Sequence, residues 1–262
     1  MGRRTWLAAL ALGALACGGG EGLPDGRIVD LSHAYGADTI YWPTDERGFE
    51  YETLAAGRSG GSDWYAAGRF ATAEHGGTHV DAPSHFAEGK DSVDEIPLER
   101  LLAHGVLVDV QAACAADPDY RVRVQDLLDW EREHGRIPAG AIVLLRTGWA
   151  ARWGDRARYL GTEASGPDAV TSLHFPGLEP DAARWLAEQR EIGAVGLDTA
   201  SIDHGPSRRF ETHRILAEAG IPALENLASL AELPAKGFAV VALPMKIAGG
   251  TGAPLRAVAL LP

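Results

Sequence analysis

Cysteine is scarce in this chain. Only Cys17 and Cys114 occur among 262 residues, which excludes a disulfide framework and leaves the fold to hold through an apolar core. Long apolar runs are missing too. Trp6 to Ala16 spans 11 residues, whereas a bilayer-crossing helix needs about 20. Basic residues are outnumbered: 24 Lys and Arg stand against 36 Asp and Glu, a net charge of −12. Such a field repels phosphate, which argues against nucleic acid and anionic lipid as partners. No internal repeat and no interior linker breaks the chain, so residues 27–262 read as one domain.

What is present at the start is Arg3 and Arg4, the short apolar stretch, and small residues before a break. That pattern reads as a secretory signal over residues 1–16. The break, Ala14-Leu15-Ala16-Cys17-Gly18, resembles the bacterial lipoprotein signal, in which the cysteine becomes the lipidated first residue of the mature chain. Residues 17–26, with Gly18 to Gly20, then form a lipidated flexible tether. By the same resemblance Gly18 in place of Asp favours the outer membrane. The protein is then expected to be exported, periplasmic or anchored to the outer membrane, and to touch the bilayer only through its lipid. A plain cleaved signal with Cys17 incidental is the alternative. Cys114, among alanines and without a neighbouring base, reads as packing.

Apolar runs recur at Ile28–Leu31, Gly105–Val110, Ala141–Arg146, Ala194–Leu197 and Phe238–Leu243, each bounded by Gly, Pro or charge as buried strands are. Helical stretches lie between them: Val124–His134, Pro180–Gln189 with its early proline, and Arg208–Ala219 closed by Gly220. The alternation predicts an α/β or α+β domain.

The densest chemistry runs from Glu74 to Phe86, Glu-His-Gly-Gly-Thr-His-Val-Asp-Ala-Pro-Ser-His-Phe. His75, His79, Asp81 and His85 are all odd-numbered, so an extended segment points three imidazoles and a carboxylate to one side. Gly77 between two of the histidines leaves room for an ion. Gly76, Gly77 and Pro83 oppose a helix here. Imidazole with carboxylate suits Zn²⁺, Mn²⁺ or Fe²⁺. A polar strand facing water would not gather four potential ligands on one face.

The run His75-Gly76-Gly77-Thr78-His79-Val80-Asp81-Ala82-Pro83-Ser84-His85 resembles the signature of the cyclase family of metal-dependent hydrolases, which includes bacterial kynurenine formamidase and isatin hydrolase. Tyr41-Trp42-Pro43, Leu145 to Trp149, Val195 to Thr199 with Ser201 and Asp203, and Pro244 to Lys246 with Gly249-Gly250 and Gly252-Ala253-Pro254 are similar to further family segments. The resemblance implies the family's swivelling β/β/α fold and a homo-oligomer, dimer or tetramer. It also implies one or two divalent ions per chain, Zn²⁺ or Mn²⁺. His213 and Glu225, 12 apart, match the family's second ligand pair, so His75, His79 and Asp81 would hold one ion, and Asp81, His213 and Glu225 a second. His85, past Pro83, would approach the ion without ligating it and act as general acid and base. The implied reaction is hydrolysis of an amide C–N bond in a small molecule, an aryl formamide or a cyclic amide. A lactone or small ester stays open. Kynurenine formamidase activity serves a cytoplasmic pathway, which counts against that substrate for an exported chain.

Trp42, Trp64, Tyr65, Phe86 and Phe210 lie near these groups in sequence and could wall a pocket for a planar ring, or simply pack. Asp198 could serve a site or cap a turn, and Arg146 could orient a carboxylate or pair structurally. His33, His104, His134, His174 and His204 lack clustered partners. Gly57-Arg58-Ser59-Gly60-Gly61 matches Gly-x-Ser-x-Gly, but a nucleophile elbow needs a strand before and a helix after. A serine hydrolase using Ser59 and a non-catalytic metal- or ligand-binding surface lipoprotein are the rival readings.

Overall fold

The computed structural model describes residues 26–45, 47–59 and 63–262. The expected signal, Cys17, the tether up to Asp25, and Gly60 and Gly61 lie outside them. The strands are β1 (Ile28–Asp30), β2 (Glu50–Ser59), β3 (Asp63–Ala71), β4 (His79–Asp81), β5 (Leu102–Asp109), β6 (Arg121–Val122), β7 (Ile142–Arg146), β8 (Gly177–Leu178), β9 (Ala194–Leu197), β10 (Ala223–Glu225), β11 (Lys236–Pro244) and β12 (Gly252–Leu260). The helices are α1 (Leu98–Leu101), α2 (Gln111–Ala116), α3 (Val124–His134), α4 (Arg156–Leu160), α5 (Pro180–Trp185) and α6 (Glu211–Glu218).

Seven strands close into a ring, β12-β11-β5-β7-β9-β10-β4, with β4 pairing back to β12 and β1 extending the same edge of β12. The mixed α/β domain expected from the alternation is what the chain forms, with a barrel-like sheet. Strands β5, β7, β9 and β10 run parallel, as connections through helices allow. Their alternate residues divide between two cores. Leu107, Ile142, Leu144, Ala194 and Leu224 face the ring's interior with Val240, Ala253 and Leu255. Val106, Val108, Val143, Leu145, Val195 and Leu197 face outward under Leu127 and Trp130 of α3, Ala182 and Ala183 of α5, and Leu216 of α6. Burial on both faces is why these runs read as continuously apolar.

Two helix limits differ from expectation. The stretch from Pro180 is α-helical to Trp185 and continues as a wider π-helical turn, Leu186–Arg190. There Arg190 grips Glu131 through two bonds of 2.6 and 2.7 Å and lies over the Trp185 ring. The third helix starts at Glu211 rather than Arg208, because Phe210 is left-handed (φ 51°) and Asp203 accepts the N–H of Thr212 and of His213. That side chain caps the helix from a loop.

Asp198 is the anchor of a turn. It accepts the N–H groups of Thr147, Gly148 and Ala150 and the Thr147 hydroxyl. Arg146 pairs with Asp109 at 2.5 Å. Cys114 is 1% exposed, and burial, with help from carboxylates around it, pushes its thiol up to about 12. The thiolate is the reactive form. In a Cys17→Ser chain, folded protein at pH 8 should therefore give almost no colour with a thiol-exchange reagent, and one equivalent after unfolding. Prompt reaction of the native protein would place Cys114 outside the core.

Candidate metal centre

Strand β4 is three residues long, and its register against β10 builds the centre. His79 lies opposite Glu225, Val80 opposite Leu224, and Asp81 opposite Ala223. Val80 and Leu224 enter the ring's interior, so His79, Asp81 and Glu225 share the outer side. The segment 74–86 is not one extended run, as expected, but this short strand between two turns. Before it the chain bends at Gly77, whose φ of +58° suits glycine and where a Cβ would strike the Tyr35 ring at 2.6 Å. That approach, rather than space for an ion, is what requires glycine. After it, Pro83–His85 forms a single 3-10 turn. The turns return His75 and His85 to the side that strict alternation would have given them.

Two imidazoles bridge the same two carboxylates. His79 Nε2 lies 3.2 Å from Asp81 Oδ1 and 3.5 Å from Glu225 Oε2. His213 Nε2, from α6, lies 3.0 Å from Asp81 Oδ2 and 3.1 Å from Glu225 Oε1. All four residues are buried. An ion bound by N and O ligands at about 2.0–2.2 Å separates neighbouring donors by about 3.0–3.5 Å, so these spacings fit a divalent cation. Burial alone would lift Asp81, but His75, His213 and His79 hold it well below the usual carboxylate range. Burial and the charge of Asp81 push Glu225 up. Burial would lower His79 and His213, yet the carboxylates beside them carry both up, His213 furthest. A cation bound by these four groups would compete with their protons.

Each imidazole is fixed through its other nitrogen. His213 Nδ1 meets Asp203 Oδ2 at 2.7 Å, and burial's upward pull on Asp203 is overcome by that histidine. His79 Nδ1 meets the Gly77 carbonyl at 3.0 Å. The same carbonyl accepts from Asn226 Nδ2 at 2.7 Å, and Asn226 Oδ1 accepts from the Tyr159 hydroxyl at 2.8 Å. Glu225 Oε1 takes the Ile202 N–H at 2.6 Å. With Nδ1 occupied, Nε2 is the atom turned to the carboxylates.

His75 and His85 form a second group with Asp81, their ligand atoms within 4.8 Å of one another. His75 Nδ1 lies 2.6 Å from Asp81 Oδ1, its Nε2 3.0 Å from Thr251 Oγ1, and Thr251 donates to Glu74. His85 stacks on His75 at 3.8 Å, and burial lowers it to about 4. Asp81 is common to both groups, as in the expected sharing. The partition differs, however: His79 sits with Glu225 and His213, while His75 sits with His85.

These side chains open onto a cavity of about 320 Å³. Trp42, Phe86 and Phe210 line it, with Phe210 6.0 Å from Trp42 and 5.5 Å from Phe86. Trp64 and Tyr65, expected beside them, do not; they sit on β3, which carries them out along a projecting hairpin. Ser59 ends β2, and the next described strand pairs back antiparallel. The helix that a nucleophile elbow needs is therefore absent among the described residues.

Residues 29–204 match the family described as Putative cyclase. The chain belongs to the cyclase family. Isatin hydrolase of Roseibium aggregatum is 39% identical over 197 residues, 72% of each chain. Kynurenine formamidase of Salinibacter ruber is 29% identical over 231 residues, 88% of this chain and 96% of that one. Isatin hydrolase A from Ralstonia solanacearum superposes with a TM-score of 0.81 at 33% identity, covering 90% and 92% of the two chains. A protein described as a potential metal-dependent hydrolase with cyclase activity gives 0.65 at 25% identity, covering 89% and 97%. These cyclase-family relatives are hydrolases, and those named for a substrate act on amide C–N bonds.

Sequence reasoning within this cyclase-family chain did not single out Asn226, Tyr159 or Thr251. Asn226 follows Glu225 directly and takes a left-handed φ of 54°, a conformation Asn tolerates. Asn226→Asp keeps the shape and replaces the donor facing Gly77 with an acceptor. Divalent-ion affinity, measured by titration calorimetry, should fall about 10–100-fold. Unchanged affinity would remove Asn226 from the support of His79.

Proposed function

We propose that this chain is a metal-dependent hydrolase that opens the C–N bond of a small aromatic amide, an aryl formamide or a cyclic amide, with His85 as general acid and base. The convergence of His79, Asp81, His213 and Glu225 on one point at the floor of an aromatic-walled cavity carries this reading. A divalent cation held there would act as a Lewis acid and lower the pKa of water toward about 7.

The chain's own residues supply the rest. Trp42, Phe86 and Phe210 receive the planar ring and exclude water from its faces. His85 lines the same cavity, stacked on His75 and 4.4 Å from Phe86. It takes a proton from the attacking water and returns it to nitrogen, since an amide nitrogen leaves only when protonated. His75 holds the His85 ring by stacking and is itself fixed between Asp81 and Thr251.

The test is metal analysis with a screen of cyclic and linear amides, isatin and an aryl formamide first. Chelator and His79→Ala should each remove ion and turnover together. His85→Ala should keep the ion and lower kcat by about 10²–10⁴-fold. Loss of ion in that variant would make His85 a ligand instead, as its grouping with His75 and Asp81 allows. A folded sample that takes up no divalent ion, or turns over regardless of chelator, would overturn the proposal.

A further inference from the structure

Ser201 lies in the loop that leaves the C-terminal end of β9, the end of a parallel strand at which ligands commonly bind. That loop is pinned along its length. The Thr199 carbonyl accepts the N–H of Asn226 at 2.9 Å, and the Thr199 hydroxyl donates to the Ser201 carbonyl at 3.0 Å. The Ile202 N–H goes to Glu225 Oε1 at 2.6 Å, and the Ile202 carbonyl accepts the Leu178 N–H at 2.8 Å. The Ser201 backbone is thus held next to Glu225.

Its side chain is unspent. Ser201 is 3% exposed and lines the cavity. Among the described residues its own bond is made by its carbonyl, and Oγ has no partner. The polar side-chain atoms that are sealed off and unpaired are His33 Nε2 and Ser84 Oγ. Ser201 Oγ is not one of them, so the small area it keeps opens on the cavity. The other hydroxyl and amide side chains of the wall differ. Tyr41 is bonded to Thr72 at 2.5 Å, Asn226 uses both ends of its amide, and Thr44 is exposed. Among the described residues no Lys or Arg lines the cavity. A hydroxyl buried without a partner is costly, so a ligand oxygen that pairs with it is favoured.

We propose that Ser201 is a catalytic residue, its hydroxyl donating a hydrogen bond to the acyl oxygen while that oxygen carries negative charge. The inference rests on the amide-hydrolase reading of the site. As water bonds to the carbonyl carbon, the C=O electron pair moves onto oxygen. On collapse that pair returns, the C–N bond breaks, and nitrogen leaves with the proton that His85 carries. The oxygen is anionic only between these two events. A donor already aimed at it favours the transition state over the bound substrate and needs no rearrangement. The fixed loop gives Ser201 that readiness. Serine keeps its proton throughout. No base bonds Oγ, as a serine nucleophile would need.

Steady-state kinetics on isatin and formanilide test this, with circular dichroism and ion content measured on each variant. Ser201→Ala should bind the ion as the wild type does and keep KM within about 3-fold, while kcat falls about 10²–10³-fold. Thioformanilide adds a second readout, because sulfur accepts a hydrogen bond weakly. The preference of the wild type for formanilide over its thio analogue should shrink at least ~10-fold in Ser201→Ala. Full kcat in the folded, ion-loaded variant, a loss confined to KM, or loss of the ion itself would each overturn the role and leave the hydrolase standing. An acyl group trapped on Ser201 and found by mass spectrometry would also overturn it, by making the serine a nucleophile. A wild type that cuts neither amide would remove this proposal together with the reading beneath it.

Discussion

Asp81 and Glu225 are buried side by side, and the cost of that placement organises the structure around them. Two carboxylates in a low-dielectric site repel, and each loses several kcal/mol of hydration unless positive partners replace the water. Asp81 pushes Glu225 up, while the imidazoles hold Asp81 down. Among the described residues, the partners of these carboxylates are imidazoles and the Ile202 N–H rather than Arg or Lys. Imidazoles of His79 and His213 take that place, and nitrogen and oxygen donors so arranged can bind a cation. A salt bridge to arginine would have closed the site to metal.

Register sets this pair. Glu225 faces His79 across β10 and β4, and Val80 and Leu224 fill the ring between them. A slip of one residue would send Val80 to the ligand side and the carboxylate into hydrocarbon. The apolar residues therefore fix His79, Asp81 and Glu225 as firmly as those side chains' own contacts do. Asp203 has a similar double role: it caps α6 and holds His213. The helix cannot begin elsewhere without releasing the imidazole.

Much of this was legible. Val124–His134 and Ala194–Leu197 form with the limits read from their apolar pattern, because each is a single element with clear ends. The cluster from His75 to His85 was legible by residue type, yet its path was not. Alternation describes a strand, and here only three residues are one. His213 and Glu225 came from resemblance, since no local pattern connects a helix to a strand edge. Asn226 and Tyr159 carried no signal at all. Their chemistry is ordinary until folding places a hydroxyl 67 residues away against an amide. Trp64 was misplaced for the opposite reason. Nearness in sequence to His75 means little when seven residues of strand carry a side chain about 23 Å.

The projecting arm of β2 and β3 follows from the same physics as the core, with one term left open. In the body, β5, β7 and β9 are covered by the ring's interior on one face and by helices on the other. Among the described residues, the ring contact of the arm is that of Phe70 with the Phe49 ring, 5.7 Å away. Its root is nonetheless tied to the cavity wall, for Tyr41 lines the cavity and bonds Thr72 just past β3 at 2.5 Å. A ribbon so built and so exposed gains little from its own chain.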